Sequence, residues 1–247
     1  MSKFAYTESI DHLKAVFTGD EFQHQIKVLR RRIGDYIDFL DGRGQSCQGR
    51  ITAVDNLKKE LQVEIIKSET APQPLPLQLL VAIPKSGKLD TIIQKAVELG
   101  VTEFTPLLTS RTVVRIDSDD KIEKKYQHWQ RVAIASLKQS GNPYQLKIDR
   151  PTAFTDLEEN LRDRISPVDR IVFHPLAHDA QPIKALGLNK DIATRLVLGP
   201  EGGFSKDEID FLRSRNYMIS SLGKRIMRLE TAVVSALTLV QFIKGNI

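Results

Sequence analysis

The stretch Ala71-Pro72-Gln73-Pro74-Leu75-Pro76 places three prolines in six residues and constrains the fold more than any other feature of the chain. Each proline fixes φ, removes a backbone N–H and pushes the preceding residue out of the helical region, so neither a helix nor a paired interior strand runs through. The expectation is a stiff, extended linker at 71–76 joining two separately folding parts. The flanking segments, 1–70 and 77–247, are each long enough for a core of their own.

The two segments carry different periodicities. In the first, Asp35-Tyr36-Ile37-Asp38-Phe39-Leu40 alternates, Asp41-Gly42-Arg43-Gly44 is turn-like, and Gln48 to Val54 and Leu61 to Ile66 resume strand character. Short strands with such punctuation predict a small β-barrel. In the second, the apolar runs Leu77 to Ile83, Val101 to Leu108, Arg170 to Phe173, Arg195 to Leu198 and Tyr217 to Leu222 are separated by helical patterns. That succession means βαβ units, an α/β fold and a mostly parallel sheet. The clearest helix begins after Ser86 or Asp90 and stops at Gly100, its stripe of Leu89, Ile92, Ile93, Ala96, Val97 and Leu99 being explained by core packing alone. Lys121 to Ser140 reads as a mixed-charge helix. Glu230 to Lys244 is apolar nearly all round, which predicts burial inside the domain or against another subunit.

Composition removes several function classes. A net charge of +5 favours a polyanionic partner, and the excess is local: residues 1–70 hold 11 Lys+Arg against 11 Asp+Glu, whereas 71–247 hold 25 against 20. One cysteine, Cys47, excludes an intramolecular disulfide, and with five scattered histidines it offers no recurrent zinc spacing. His174 and His178 lie four apart but flank Pro175, so one helical face does not present both, and no metal is expected. Nothing resembles a leader or a membrane span of about 20 apolar residues, and a cytoplasmic location is the expectation.

The chemistry concentrates near the C-terminus. Arg195-Leu196-Val197-Leu198 runs as a buried strand into Gly199-Pro200-Glu201-Gly202-Gly203-Phe204, after which Ser205-Lys206-Asp207-Glu208 has the capping-box form that opens a helix. A strand, a glycine loop and a helix in succession place a ligand at the C-terminal edge of a parallel sheet. The plain alternative is a tight turn with no ligand. The spacing is not the dinucleotide Gly-x-Gly-x-x-Gly, and Pro84-Lys85-Ser86-Gly87-Lys88-Leu89 lacks the upstream Gly and the following Ser/Thr of a Walker loop. Some 20 residues on, Ser220-Ser221-Leu222 enters Gly223-Lys224-Arg225-Ile226-Met227-Arg228, followed by Leu229-Glu230-Thr231-Ala232. This second loop is expected to land beside the first and share a pocket with it. Lys224, Arg225 and Arg228 then suit phosphate contact or transition-state charge, the alternative being a solvated charged turn.

The two segments Gly-Pro-Glu-Gly-Gly-Phe-Ser and Leu-Gly-x-Arg-Ile-Met-Arg-Leu-Glu-Thr-Ala resemble the C-terminal signature of the SPOUT methyltransferases, and specifically the branch acting on uridine N3 of small-subunit ribosomal RNA. Lys95-Ala96-Val97-Glu98-Leu99-Gly100-Val101 with Pro106 and Arg111, and Gln23-His24-x-x-Lys27-Val28-Leu29-Arg30-x-x-x-Gly34-Asp35, match as well, so the resemblance covers nearly the whole chain. The run after Trp129 departs from the family pattern: residues 135–142 lack two acids and an arginine, although Gln139 and Ser140 are kept.

The resemblance implies an N-terminal PUA-like barrel that helps hold RNA, a C-terminal α/β domain with a trefoil knot that cradles S-adenosylmethionine, and a homodimer. It implies donor contacts from Leu198, Gly199, Gly202, Gly203, Ser221, Leu222 and Gly223, with Ile226 and Met227 covering the adenine. For RNA it points to His24, Lys27, Arg30, Arg31, Arg32 and Arg228. A uracil N3–H is a weak acid, so attack on a methyl sulfonium needs a base or stabilisation of the deprotonated imide. Arg225 is the candidate charge stabiliser and Glu201 the candidate proton acceptor, although Glu201 can equally cap the loop and Arg225 bind a phosphate. Three other readings stay open: a related enzyme acting on a ribose 2′-hydroxyl or a transfer RNA guanine, a non-catalytic RNA-binding or assembly factor, and a nucleotide-binding enzyme.

Overall fold

The computed structural model describes residues 3–11, 13–85, 87–112, 118–157, 167–174 and 179–247. The chain divides into two compact units. The first is Met1–Gln73 together with Ala133–Gln145, and the second is Pro74–Val132 with Leu146–Ile247. The division falls inside the proline stretch, but residues 133–145 join the first unit, which a linear boundary does not reveal. They are held by contacts local patterns do not encode. Phe4 N–H donates to the Lys138 carbonyl at 3.1 Å, Lys138 Nζ meets Glu21 Oε2 at 2.6 Å, and the Tyr144 hydroxyl donates to the Ala71 carbonyl at 2.7 Å.

Six strands form the sheet of the first unit: β1 (Ala5–Tyr6), β2 (Ile10–Asp11), β3 (Lys14–Phe17), β4 (Tyr36–Leu40), β5 (Gln45–Asp55) and β6 (Glu60–Thr70). Their order is β1-β4-β5-β6-β3-β2, antiparallel except for the β1–β4 pair. The two edge strands, β1 and β2, are consecutive in sequence and joined by Thr7, Glu8 and Ser9 alone. Three residues reach only about 10 Å, so the sheet must curl until its edges approach, forming a half-barrel. Its core is Ala15, Phe17, Phe22, Ile37, Phe39, Ile51, Leu61 and Val63, and the Phe17 and Phe39 rings meet edge to face at 5.3 Å. Segment 19–28 is helical: Gly19–Gln23 continues into a π-helical turn over His24–Val28. Phe22 and Gln25, three apart, are both buried, a spacing that fits a helix and not an alternating strand.

Eight strands make the sheet of the second unit: β7 (Leu77–Ala82), β8 (Glu103–Leu108), β9 (Lys147–Ile148), β10 (Thr152–Ala153), β11 (Val168–Phe173), β12 (Gln181–Pro182), β13 (Ala193–Leu198) and β14 (Met218–Ser221). All pairings are parallel, in the order β10-β8-β7-β13-β11-β14-β12, with β9 on β8. β7 and β13 are buried at every position, as parallel strands covered on both faces must be. The helix Leu89–Glu98 buries Leu89, Ile92, Ile93, Ala96 and Val97 as its stripe predicts. The C-terminal helix Leu229–Lys244 buries Leu229, Val233, Ala236, Leu237 and Val240 but leaves Phe242 69% exposed. Among the described residues no helix is long and apolar enough to cross a membrane.

Candidate functional site

Parallel pairing brings the C-terminal ends of three strands level: Phe173 of β11 sits opposite Leu198 of β13 on one side and Ser220 of β14 on the other. The loops leaving β13 and β14 therefore share an edge, as the sequence suggests, but they are not direct neighbours. β11 lies between them, and its exit, Phe173-His174, enters the site. The His174 N–H donates to the Ser220 carbonyl at 3.0 Å, extending the β11–β14 ladder by one residue into the loops.

These three exits enclose a cavity of about 340 Å³, within the range of small-molecule sites. One wall is Leu198, Gly199, Pro200, Glu201, Gly203 and Phe204; the opposite wall is Leu222, Gly223, Arg225, Ile226, Met227 and Arg228. Phe173, His174, Leu229 and Ala232 complete it. Gly202 and Ser221 belong to the same loops but do not line the cavity. The lining is mostly apolar, with cations only at Arg225 and Arg228 and one carboxylate, Glu201, all three exposed. Ile226 is 76% exposed although apolar, leaving a hydrophobic flap at the mouth with little of its own to cover.

The glycine loop has identifiable supports. A Cβ at Gly199 would lie 3.0 Å from two Phe204 ring carbons, so a larger residue there must push against the ring that anchors the loop in the core. Gly203 adopts φ +70°, closing the turn through its N–H to the Pro200 carbonyl at 2.8 Å. Arg111, from the loop after β8, donates through Nη1 to the Gly202 carbonyl at 2.6 Å. The capping box is present as the sequence predicts: Ser205 caps the helix Lys206–Ser214 and Glu208 returns a bond to the Ser205 N–H at 2.7 Å. The other Glu208 oxygen accepts the Ser110 N–H at 2.8 Å, so one buried carboxylate ties two loops together.

His174, considered from the sequence only as a metal ligand, lines this cavity. Its partner in that consideration, His178, lies outside the described residues. Burial, then the Arg213 and Arg111 charges, holds the His174 imidazole below its ordinary pKa against the opposing pull of Asp179, so the ring is neutral near pH 7. Sequence reasoning also missed Phe173, Pro200, Phe204, Leu229 and Ala232 as lining. The position of β11 between β13 and β14 would have been needed to find the first. At the base of the second loop Glu230 is held below its usual carboxylate range, first by hydrogen bonding to a backbone N–H and then by Lys88 Nζ, 3.1 Å away.

The cations expected to meet RNA lie in both units. Lys27, Arg30, Arg31 and Arg32 follow closely in the chain on the first, exposed at Lys27, Arg30 and Arg32, with His24 Nε2 buried nearby in sequence and without a hydrogen-bond partner. Arg228 is on the second unit at the cavity. Among the described residues no group of three or more His, Cys, Asp or Glu could hold a metal ion.

A parallel-sheet domain with a glycine-loop cavity at its strand ends, joined to a curled β module that carries a run of cations at 27–32, defines a class: an α/β protein with a small-molecule cavity and a small β accessory unit. The chain belongs to the RNA methyltransferase domain family, whose model matches residues 62–241, and an RNA methyltransferase PUA domain model matches residues 17–66. It is 29% identical over 231 residues to the ribosomal RNA small subunit methyltransferase E of Bacillus subtilis, covering 91% of this chain and 88% of that one. To the protein of the same name from Aquifex aeolicus it is 32% identical over 186 residues, covering 74% and 76%. The fold superposes with a TM-score of 0.83 on the ribosomal RNA small subunit methyltransferase E of Neisseria gonorrhoeae bound to S-adenosyl methionine, at 25% identity and 98% coverage of both chains. A putative methyltransferase of Legionella pneumophila, in complex with the same cofactor, superposes equally well at 26% identity.

Proposed function

We propose that the protein is a cytoplasmic SPOUT-type enzyme that transfers a methyl group from S-adenosylmethionine to N3 of one uridine in small-subunit ribosomal RNA. The observation that carries this reading is the cavity where the β11, β13 and β14 exits meet, in a fold whose relatives hold that donor. The cavity fits the donor by its own chemistry. Glycines bring backbone N–H and C=O groups to the wall, apolar side chains suit a purine, and Ile226 and Met227 offer apolar cover for a planar ring.

The donor supplies an electrophilic methyl on a positively charged sulfur. The chain's own task is to orient it, exclude water and manage the proton on uracil N3. Leu198, Gly199, Gly203, Leu222 and Gly223 present main-chain groups for the first of these, while Gly202 and Ser221 support the same two loops from outside the cavity lining. Arg225, exposed on the wall with no ion pair among the described residues, is the group that stabilises negative charge on the uracil carbonyls in this scheme. Glu201, on the facing loop, is the proton acceptor in this scheme. The half-barrel supplies RNA affinity through Lys27, Arg30, Arg31 and Arg32, each phosphate contact weakening as salt rises. The exposed Phe242 on the C-terminal helix is what a second copy of the chain would bury in a homodimer.

Nucleoside mass spectrometry of ribosomal RNA from a deletion strain tests the assignment. Loss of 3-methyluridine alone is expected; loss of a ribose-methylated nucleoside instead would reassign the branch. Arg225→Ala should abolish transfer while donor binding by calorimetry persists, and surviving turnover would remove Arg225 from the mechanism.

A further inference from the structure

We propose that the half-barrel carries a seat for one unpaired nucleotide, with the Tyr36 ring as the stacking platform and Arg50 and Arg31 beside it. This deepens the RNA-binding part of the function proposed above and rests on it. The seat is built around a turn. Arg32, Ile33, Gly34 and Asp35 form a tight reversal in which Asp35 N–H donates to the Arg32 carbonyl at 3.1 Å and Gly34 takes φ +98°, while the Asp35 side chain accepts the Arg32 N–H at 2.7 Å. The turn is clamped to β5 from both sides, Gly34 N–H donating to the Ile51 carbonyl at 2.8 Å and Ile51 N–H to the Asp35 carbonyl at 2.9 Å. A rigid turn therefore holds Ile33 64% exposed and delivers Tyr36, 58% exposed, as the first residue of β4.

Tyr36 is paired in register with Arg50 on β5, and residues directly opposite on neighbouring strands project from the same face. Arg50 Nη2 reaches to 3.7 Å from where a Cβ on Gly34 would stand, so its guanidinium lies along the turn beside the ring. From the other side Arg31 Nη1 donates to the Tyr36 carbonyl. Arg30 holds a left-handed φ of 55°, a conformation that glycine tolerates better, and so turns the chain into this cluster.

Charge identifies the occupant. Elsewhere in the same unit Arg43, Lys67 and Lys138 each meet a carboxylate. Among the described residues Lys27, Arg30, Arg31, Arg32 and Arg50 meet none. Of the nearby acids, Asp35 closes the turn and Asp38 accepts from Gln48 Nε2 at 2.9 Å, while Glu64, directly opposite Arg50 on β6 and on the same face, makes no ion pair with it. Arg31 and Arg50 beside two exposed hydrophobic side chains, one aromatic, with further cations at 27, 30 and 32 on the same unit, match an anionic backbone that also offers flat apolar faces. A single-stranded nucleic acid with a base out of its stack provides both, since a base inside a duplex shows an edge and no face, and RNA is the single strand that the function proposed above supplies.

The test is binding of the full chain to a fluorescein-labelled uridine-rich RNA 12-mer, single-stranded or annealed to its complement, across a salt series. The single strand should bind more tightly. Tyr36→Ala should weaken it by roughly five- to a hundred-fold with the salt slope unchanged, and Tyr36→Phe should restore it to within about two-fold, because stacking is lost without a phosphate contact. Arg50→Ala should lower the salt slope by about one unit. Equal binding of single strand and duplex, Tyr36→Ala binding like the parent, or poly-glutamate competing as well as unlabelled RNA would each overturn the seat. Methyl transfer to small ribosomal subunits separates the two levels. A parent protein without transfer fails the proposed function, whereas normal transfer with an inert Tyr36→Ala fails this inference alone.

Discussion

Replacing Glu208 should loosen the donor loop and the second unit together. Glu208 is 7% exposed, and its carboxylate accepts the Ser205 N–H at 2.7 Å and the Ser110 N–H at 2.8 Å while its own N–H donates to Ser205 Oγ at 3.2 Å. In Glu208→Gln the amide keeps one acceptor and turns an NH2 toward the other donor. A partly buried N–H then goes unsatisfied, a loss of about 1–3 kcal/mol. In Glu208→Ala both charge-assisted bonds go, and about 3–5 kcal/mol is expected after water reaches part of the site. The neighbouring Asp207→Asn gives the control. Asp207 is exposed and acts only through the helix dipole, so its loss costs roughly 0.5 kcal/mol. Trp129 is the sole tryptophan, lies in the second unit and is 3% exposed, so its fluorescence in urea follows the unit that matters. With a urea m-value of about 2 kcal/mol/M, Glu208→Gln should lower the midpoint by roughly 1 M. S-adenosylmethionine affinity should fall as well, because the same carboxylate braces the glycine loop against residues 109–112. A Glu208→Gln shift no larger than that of Asp207→Asn would refute the reasoning.

Gly199→Ala sets a methyl 3.0 Å from the Phe204 ring, so it should destabilise by about 1–3 kcal/mol and weaken donor binding in calorimetry; unchanged binding would show that the ring yields. His174 has a lowered pKa in the folded protein, so just below pH 6.5 the unfolded chain binds more protons and stability rises with pH before levelling above that value. His174→Asn should flatten this rise in the urea midpoint measured from pH 5 to 8. Burial, with Asp41 nearby, pushes the Cys47 thiol up to about 11, so Ellman's reagent at pH 8 should label it only as fast as the first unit opens. Rapid labelling of the native protein would contradict its burial.

Much of the fold and of the site can be read along the chain because it rests on local physics. The prolines at 72, 74 and 76 mark the division, the strand and helix periods of 77–247 identify a parallel α/β sheet, and Ser205 with Glu208 marks a helix start before any coordinate is known. Gly199 to Gly203 and the cations at 224, 225 and 228 identify the two loops that face each other. Backbone torsion, capping and amphipathic period act over a few residues, so the sequence alone determines them. Tertiary structure alone decides the strand order, because pairing depends on which distant strands meet. It places β11 between β13 and β14, which brings Phe173 and His174 into the cavity. It also draws residues 133–145 into the first unit and lets Glu208 reach Ser110, 98 residues away. Arg111 on Gly202, and Arg50 beside Tyr36, are contacts of the same kind: each becomes visible only when packing has set one segment against another.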